Sequence, residues 1–79
     1  MHWKDRIAVD DDVVFGKPHV RGTRLSVEFL LGLLAQGWAE QALLDAYPQL
    51  CREDLLAVYA LASELVSEEE FVVSGKLVA

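Results

Sequence analysis

The positions of helix-starting and helix-stopping residues constrain the fold of this chain more than any other feature. Ser26 is a good N-cap residue, Gly37 can adopt the left-handed conformation that ends a helix, and Pro48 cannot continue one. Between and beyond these residues the apolar side chains recur at helical spacing. The sequence therefore predicts three helices, over residues 27–36, 40–47 and 52–66.

The first predicted helix is apolar on nearly its whole circumference, since only Glu28 and Gln36 are strongly polar. A helix that is apolar on all sides is normally buried on all sides. We therefore expect it to lie at the centre of the domain or of a dimer. Gly32 in its middle costs about 1 kcal/mol relative to alanine, a cost that close approach of another backbone would offset.

The third predicted helix carries more apolar residues than one buried face needs. Two apolar stripes run along it. The first consists of Leu55, Val58, Tyr59, Ala62, Leu65 and Val66, and the second of Leu56 and Leu61. A chain of this size buries only about 60% of its unfolded surface, yet 53% of its 79 residues are hydrophobic. Some of this apolar surface is therefore expected to face another chain, and a homodimer is predicted.

The N-terminal part contains two β-prone segments, residues 7–9 and 13–15, on either side of three aspartates at positions 10–12. This pattern predicts a small hairpin or an irregular extended arm. The aspartates lack the glycine and the distal glutamate of a calcium-binding loop. We therefore interpret them as a solvated turn and predict no metal site.

A cationic connector, residues 16–24, joins this arm to the first helix. It contains no carboxylate, although the net charge of the chain is −6. Pro18 fixes its own φ, and Gly16 and Gly22 permit positive φ, so a turn-rich path is expected. Two interpretations remain open. In the first, the connector binds an anion such as a phosphate or a partner carboxylate, and the candidate residues are Lys17, Arg21, Thr23 and Arg24. Alternatively, the arginines neutralise the protein's own acids and Thr23 bonds the local backbone.

Charge is divided unevenly along the chain. Residues 1–27 hold five cations against four carboxylates, a net of +1, whereas residues 28–79 hold two against nine, a net of −7. The chain is therefore expected to be a poor general binder of nucleic acid, and any contact with DNA would be local to its N-terminal part. The third helix opens with Arg52, Glu53 and Asp54, and carboxylates at that position would repel phosphates.

The chain is predicted to divide into a domain over residues 1–66 and an acidic and apolar tail over residues 67–79. The tail follows its acids with a β-prone segment, which could add as a strand to the edge of a partner's sheet. The candidate partner-binding residues are Glu68, Glu69, Glu70, Phe71, Val72 and Val73. The alternative is a frayed terminus.

No constellation for catalysis is visible, because His2 and His19 are the only histidines and Cys51 is the only cysteine. We predict no enzymatic activity, no metal and no cofactor, with His19 on the surface of the connector. Trp3 and Trp38 are interpreted as packing anchors. A lone cysteine, no membrane span and no secretory signal indicate a cytoplasmic protein.

A short helix, a turn and a longer helix, preceded by one more helix, form the arrangement of helix-turn-helix domains. Sequence motifs within residues 7–62 also match those of a known protein family. The matching motifs are Gly16-Lys17-Pro18, Arg21-Gly22-Thr23-Arg24, Gly37 and Tyr47-Pro48-Gln49-Leu50. With these motifs the chain resembles the small bacterial family catalogued as domain of unknown function 433.

The resemblance implies a mainly α, homeodomain-like helix-turn-helix fold with a short N-terminal β arm. It also implies the role of antitoxin in a type II toxin-antitoxin pair, beside a PIN-like nuclease, with a contribution to DNA-binding autoregulation. Ala39 and Cys51 depart from the family pattern, because they replace the polar caps of the second and third helices. The alternative function is a small homodimeric interaction or regulatory module with no toxin partner.

Overall fold

The computed structural model describes residues 2–68, and within them the chain is mainly helical, as predicted. Two short strands and two 3-10 turns precede three α-helices. In chain order the elements are a first 3-10 turn (Trp3–Asp5), β1 (Ile7–Ala8), a second 3-10 turn (Val14–Gly16), β2 (His19–Val20), α1 (Val27–Ala35), α2 (Glu40–Ala46) and α3 (Arg52–Glu68).

The N-terminal hairpin exists, but its second strand is not the predicted one. β1 pairs antiparallel with β2, so that Ile7 lies opposite Val20. Both side chains are buried in the core, and this burial favours the observed pairing. The segment predicted as a strand, residues 13–15, instead enters a 3-10 turn in which Val14 and Phe15 have φ of 50° and 55°. Such left-handed geometry cannot continue a strand.

The ends of α1 lie within one residue of their predicted positions, because local chemistry specifies both. Ser26 caps the start, since its Oγ accepts the backbone N–H of Phe29 at 2.9 Å. At the other end Gly37 has a φ of 102°. Its N–H donates to the carbonyl of Leu34 and that of Trp38 donates to Leu33, which together form a Schellman motif.

The two helix starts without polar caps behave differently. Ala39 gives α2 no side-chain cap. At the start of α3, the N–H of Cys51 donates to Asp54 Oδ2 at 3.0 Å, which is half of a capping box. Asp54 therefore compensates for the cysteine, and α3 continues to Glu68, two residues past its predicted end.

The core is organised around α3, which packs against the first 3-10 turn, β1 and α2. Every other element except the second 3-10 turn contributes at least one residue that is buried in this core or packed against it. The buried apolar residues are Ile7, Val20, Val27, Leu30, Leu43, Leu50, Leu55, Ala57, Val58 and Leu61. Trp3 packs against this cluster as predicted, but Trp38 does not: it is exposed at the end of α1.

The expectation that α1 is buried on all sides is wrong for the single chain. Only Val27 and Leu30 are buried, and Phe29 is 43% exposed. At Gly32 an added Cβ would meet no atom within 4 Å, so no backbone of the described chain approaches it closely. The helix covers the core with one side only, and a dimer that would cover the other side stays a prediction.

Candidate functional site

The connector folds back onto the start of α1. The N–H of Val20 donates to Leu25 O at 3.0 Å, and the N–H of Val27 donates to Pro18 O at 2.9 Å. Between these bonds Gly22 turns the chain with a φ of 80°, where an added Cβ would meet nothing within 4 Å. Its requirement for glycine is therefore conformational rather than steric.

An open cleft of about 460 Å³, which we call the connector cleft, lies between the connector and the N-terminal arm. The lining residues that bear on its chemistry are Asp10, Val13, His19, Arg21, Thr23 and Arg24. Three of the four residues predicted to bind an anion, Arg21, Thr23 and Arg24, are thus brought together. The fourth, Lys17, lies outside this cleft.

Neither arginine of the connector cleft is paired with a carboxylate among the side chains of residues 2–67. Arg21 donates from Nη2 to the backbone carbonyl of Lys4 at 3.1 Å, which is a contact with a neutral group rather than with a carboxylate. Arg24 makes no side-chain hydrogen bond or ion pair within the same range. The interpretation in which these arginines neutralise the protein's own acids therefore finds no support in the described chain.

Lys17 and Thr23 have local partners. Lys17 Nζ lies 2.7 Å from Glu28 Oε1, and this hydrogen bond lowers the pKa of Glu28 below its usual value. The hydroxyl of Thr23 donates to Val20 O at 2.8 Å and accepts from the N–H of Leu25 at 3.0 Å. Thr23 thus bonds the local backbone, as one of the two interpretations predicted, and shapes the turn that presents the arginines.

His19 is buried, with 4% of its surface exposed, so its predicted place on the surface is wrong. Its Nδ1 lies 3.1 Å from Lys17 O, and because a carbonyl can only accept, Nδ1 carries the hydrogen of this bond. The position beside Pro18 in a polar segment gave no sign of burial. Its burial follows from the tertiary fold, in which His19 pairs with Ala8 on one side and bridges to Ser26 on the other.

A second polar cluster joins the N-terminal arm to the start of α3. Arg6 Nη1 lies 3.0 Å from Asp54 Oδ1, and this hydrogen bond raises the pKa of Arg6. Asp54 is only 6% exposed, so its charge is both covered and compensated. Of the two carboxylates expected to repel DNA at this helix start, only Glu53 faces solvent. Its pKa is lowered, chiefly by its own backbone amide and then by the Cys51 thiol.

Large apolar side chains are exposed on the N-terminal arm, on α1 and α3, and between α1 and α2, as the surplus of apolar residues predicted. The exposed ones are Val9, Phe15, Phe29, Trp38, Leu56, Leu65 and Val66. On α1, Phe29, Gly32 and Leu33 line a groove of about 380 Å³, which we call the α1 groove. Phe29 is held there edge-on against Tyr47, with ring centroids 5.9 Å apart.

Two kinds of functional feature are absent from the described part of the chain. No three side chains of the His, Cys, Asp and Glu types lie close enough together to bind a metal ion. In the same part of the chain, no helix has both the length and the apolar character that crossing a bilayer requires. The predicted partner-binding residues at positions 69–73 lie outside the described residues, and Glu68 is the last residue of α3.

Comparison with known proteins supports the resemblance drawn from the motifs. A family model described as "Protein of unknown function (DUF433)" matches residues 7–62. The fold is similar to the crystal structure of a DUF433 member protein from Anabaena variabilis, with a TM-score of 0.73 and 30% sequence identity. That likeness covers 84% of this chain and 68% of the other. Comparison with curated proteins gave no match. Because the family model spans well over half of the 79 residues, the chain belongs to the DUF433 family.

Proposed function

We propose that this protein is the antitoxin of a type II toxin-antitoxin pair, and that it binds and neutralises a PIN-like nuclease. The observation that carries the proposal is the continuation of α3 past the core. Leu61 is the last buried residue of this helix, whereas Leu65 and Val66 are 52% and 56% exposed. An apolar helix end without a covering element in the described chain is a suitable docking surface for a partner.

Charge supports the same surface. The exposed Glu64 lies beside Leu65, and the sequence continues with Glu68, Glu69 and Glu70. Nucleases that act on RNA require basic clefts, and an acidic segment would steer association with such a cleft and cover it. The predicted contact of residues 68–73 with the partner would thus extend an apolar and acidic surface that already begins on α3.

The test is co-expression of this chain with the product of the neighbouring gene, followed by co-purification and growth measurements. We expect the full chain to form a complex and to rescue growth. A chain that ends after Val66 should bind the partner at least tenfold more weakly. The double variant Leu65→Ser with Val66→Ser should show a similar loss. Gln41→Ala, on the exposed side of α2, serves as the matched control. If the truncated chain binds as tightly as the full chain, the tail does not contribute to the contact. If the full chain forms no complex, the antitoxin role is excluded.

A contribution to DNA-binding autoregulation is the second candidate, and one observation favours it. Arg21 and Arg24 share the connector cleft without a carboxylate partner among the side chains of residues 2–67, while Asp54 is neutralised by Arg6. Fluorescence anisotropy on the promoter of the operon tests it, with and without the toxin. Combined Arg21→Ala and Arg24→Ala should weaken binding and reduce its salt dependence. Unchanged affinity would remove the connector from any DNA contact.

The alternative function, a homodimeric interaction module without a toxin, would use the α1 groove. Phe29 and Leu33 flank Gly32, whose missing side chain allows another helix to approach closely. Sedimentation of the purified chain distinguishes the two functions. A stable dimer that forms no complex with the neighbouring gene product would favour the alternative.

A further inference from the structure

We propose that the connector cleft is a binding site for a single phosphate group, held by Arg21, Arg24 and the buried imidazole of His19. The inference goes beyond the antitoxin role and stands without it. It also assigns to His19 a part that the sequence gave no reason to expect.

His19 has one ring nitrogen without a hydrogen-bond partner in the described part of the chain. Nδ1 is occupied by its bond to Lys17 O, so Nε2 is the nitrogen left for another partner. Among residues 2–68, every side-chain nitrogen or oxygen that is sealed from solvent has a hydrogen-bond partner. Nε2 makes no such bond there, so it keeps access to solvent, and the connector cleft is the surface that His19 lines. Because His19 is only 4% exposed and lines the connector cleft, we infer that Nε2 faces this cleft.

The residues that line the connector cleft together with His19 include two cations. Arg21 and Arg24 both line the cleft, and each has guanidinium donors that are not used by a carboxylate of the described chain. The turn that spaces them is fixed by the two hydrogen bonds of Thr23. Two arginines that line one space offer several guanidinium donors to a phosphate, and the guanidinium fork matches its oxygens.

The charges in and around the connector cleft favour a small anion over a long one. Asp10 also lines the cleft, and one of its carboxylate oxygens accepts the N–H of Asp12 at 2.9 Å. This negative charge, and a net charge of −6 for the whole chain, disfavour a long polyanion lying across the surface. The open volume of about 460 Å³ exceeds that of one phosphate group, so it also leaves room for part of the molecule that carries the phosphate. One phosphate group satisfies these limits, whether it belongs to a small molecule or to a single position of a nucleic acid backbone.

His19 can contact phosphate in either of its forms. A neutral ring accepts a hydrogen bond at Nε2 from a phosphate hydroxyl, and a protonated ring donates from Nε2 to a phosphate oxygen. In both forms Nδ1 keeps its hydrogen and its bond to Lys17 O.

The experiment is a titration of the full chain with inorganic phosphate, followed by ¹H–¹⁵N correlation spectra of the histidine ring nitrogens. We expect Nε2 of His19 to shift in a saturable manner, while His2, which is exposed at the first 3-10 turn, remains unchanged. Combined Arg21→Ala and Arg24→Ala should weaken phosphate binding by tenfold or more, about the effect of losing one charge-assisted hydrogen bond. Arg52→Gln removes a cation that does not line the cleft and should change the affinity less than twofold.

Two substitutions separate binding from folding. His19→Asn retains a donor at the position of Nδ1, so it should fold but lose phosphate, with circular dichroism as the check on folding. His19→Gln places an amide near the position of Nε2 and should retain part of the binding. If either variant fails to fold, the ring spectra of the unaltered chain still decide. Equal shifts at His2 and His19, or equal phosphate affinity in the folded His19→Asn variant, would overturn the proposal.

The source of the phosphate is identified by competition. Short duplex DNA that displaces inorganic phosphate from His19 would identify a nucleic acid backbone as the source. Duplex DNA without effect on a saturable His19 shift would identify a small phosphorylated molecule. Because these readouts use the chain alone, failure to bind phosphate is distinguishable from failure to bind a nuclease.

Discussion

The helices α1 and α3 reverse the usual relation between apolar composition and burial. α1 has one charged residue, Glu28, in nine positions, yet only Val27 and Leu30 are buried. α3 contains three charged residues in its first turn alone, yet it supplies more of the core than any other element. Even the carboxylate of Asp54 is covered.

The difference arises from what lies across from each helix. α3 is packed against the first 3-10 turn, β1 and α2, which cover it from several sides. α1 lies against the core with one side, and its other side bears Phe29 and the open position at Gly32. Composition therefore indicates how much apolar surface must be covered, while the topology decides whether the chain covers it or leaves it for a partner.

The largest effect that would test this comparison is expected within α1 itself. Leu30→Ala removes a side chain with 0% exposure and should lower the free energy of unfolding by about 3 kcal/mol. Leu33→Ala, on the half-buried side that lines the α1 groove, should cost less than about 1 kcal/mol. Urea unfolding measures both. Equal losses would mean that α1 is covered on both sides in solution, as in a stable dimer.

The next effect concerns the polar anchor of α3. Asp54→Ala removes the ion pair with Arg6 and the bond that caps the helix start, and it should cost about 2 kcal/mol. Glu53→Ala, which faces solvent in the same turn, is the matched control and should change stability little. The measurement is urea unfolding monitored by circular dichroism at 222 nm. If Asp54→Ala leaves the free energy of unfolding unchanged, packing alone holds α3 in place.

A smaller effect on stability is expected for the exposed side of α1. Phe29→Gln should change the free energy of unfolding by less than about 1 kcal/mol, because the side chain is 43% exposed. It should nevertheless weaken self-association in sedimentation velocity if this side of α1 forms the homodimer. Thr23→Ser provides a control away from the groove. A dimer unaffected by Phe29→Gln would place the dimer contact elsewhere.

The smallest effect is the dependence of stability on high pH through the contact between α2 and α3. Tyr59 Oη donates to Glu40 Oε2 at 2.8 Å, and burial, followed by this bond, raises the pKa of Tyr59 above its ordinary value of 10.0. Above pH 10 the unfolded chain loses this proton while the folded chain retains it, so stability should fall as the pH rises through this window. Tyr59→Phe should remove the part of this loss of stability that comes from ionisation of Tyr59. Parallel unfolding curves for both proteins from pH 8 to pH 11 would contradict it.

Much of the helical part of the fold could be predicted because its signals are local. Ser26, Gly37 and Pro48 act on the backbone within a few residues of themselves, and the helix ends lie within two residues of their expected positions. The hairpin was harder to predict. Its two strands are separated by ten residues, and the strand partner of Ile7 is set by a shared place in the core rather than by β propensity.

The candidate site also has features that could be predicted from local sequence and features that depend on the tertiary fold. The charged residue types of the connector, and the glycines that let it turn, could be read directly from the chain, and so Arg21 and Arg24 were predicted to act together. That Lys17 pairs with Glu28 instead, and that His19 is turned inward, could not be read, because both follow from neighbours brought close by folding.

Local chemistry alone thus specified three helices, a turning cationic segment and a surplus of apolar surface. Contacts between residues far apart in the chain specified which strand pairs with Ile7, which side of α1 stays exposed and which histidine lines the cleft. The physical reason is range: caps and turn residues act over a few bonds, whereas burial depends on every element that packs around a residue.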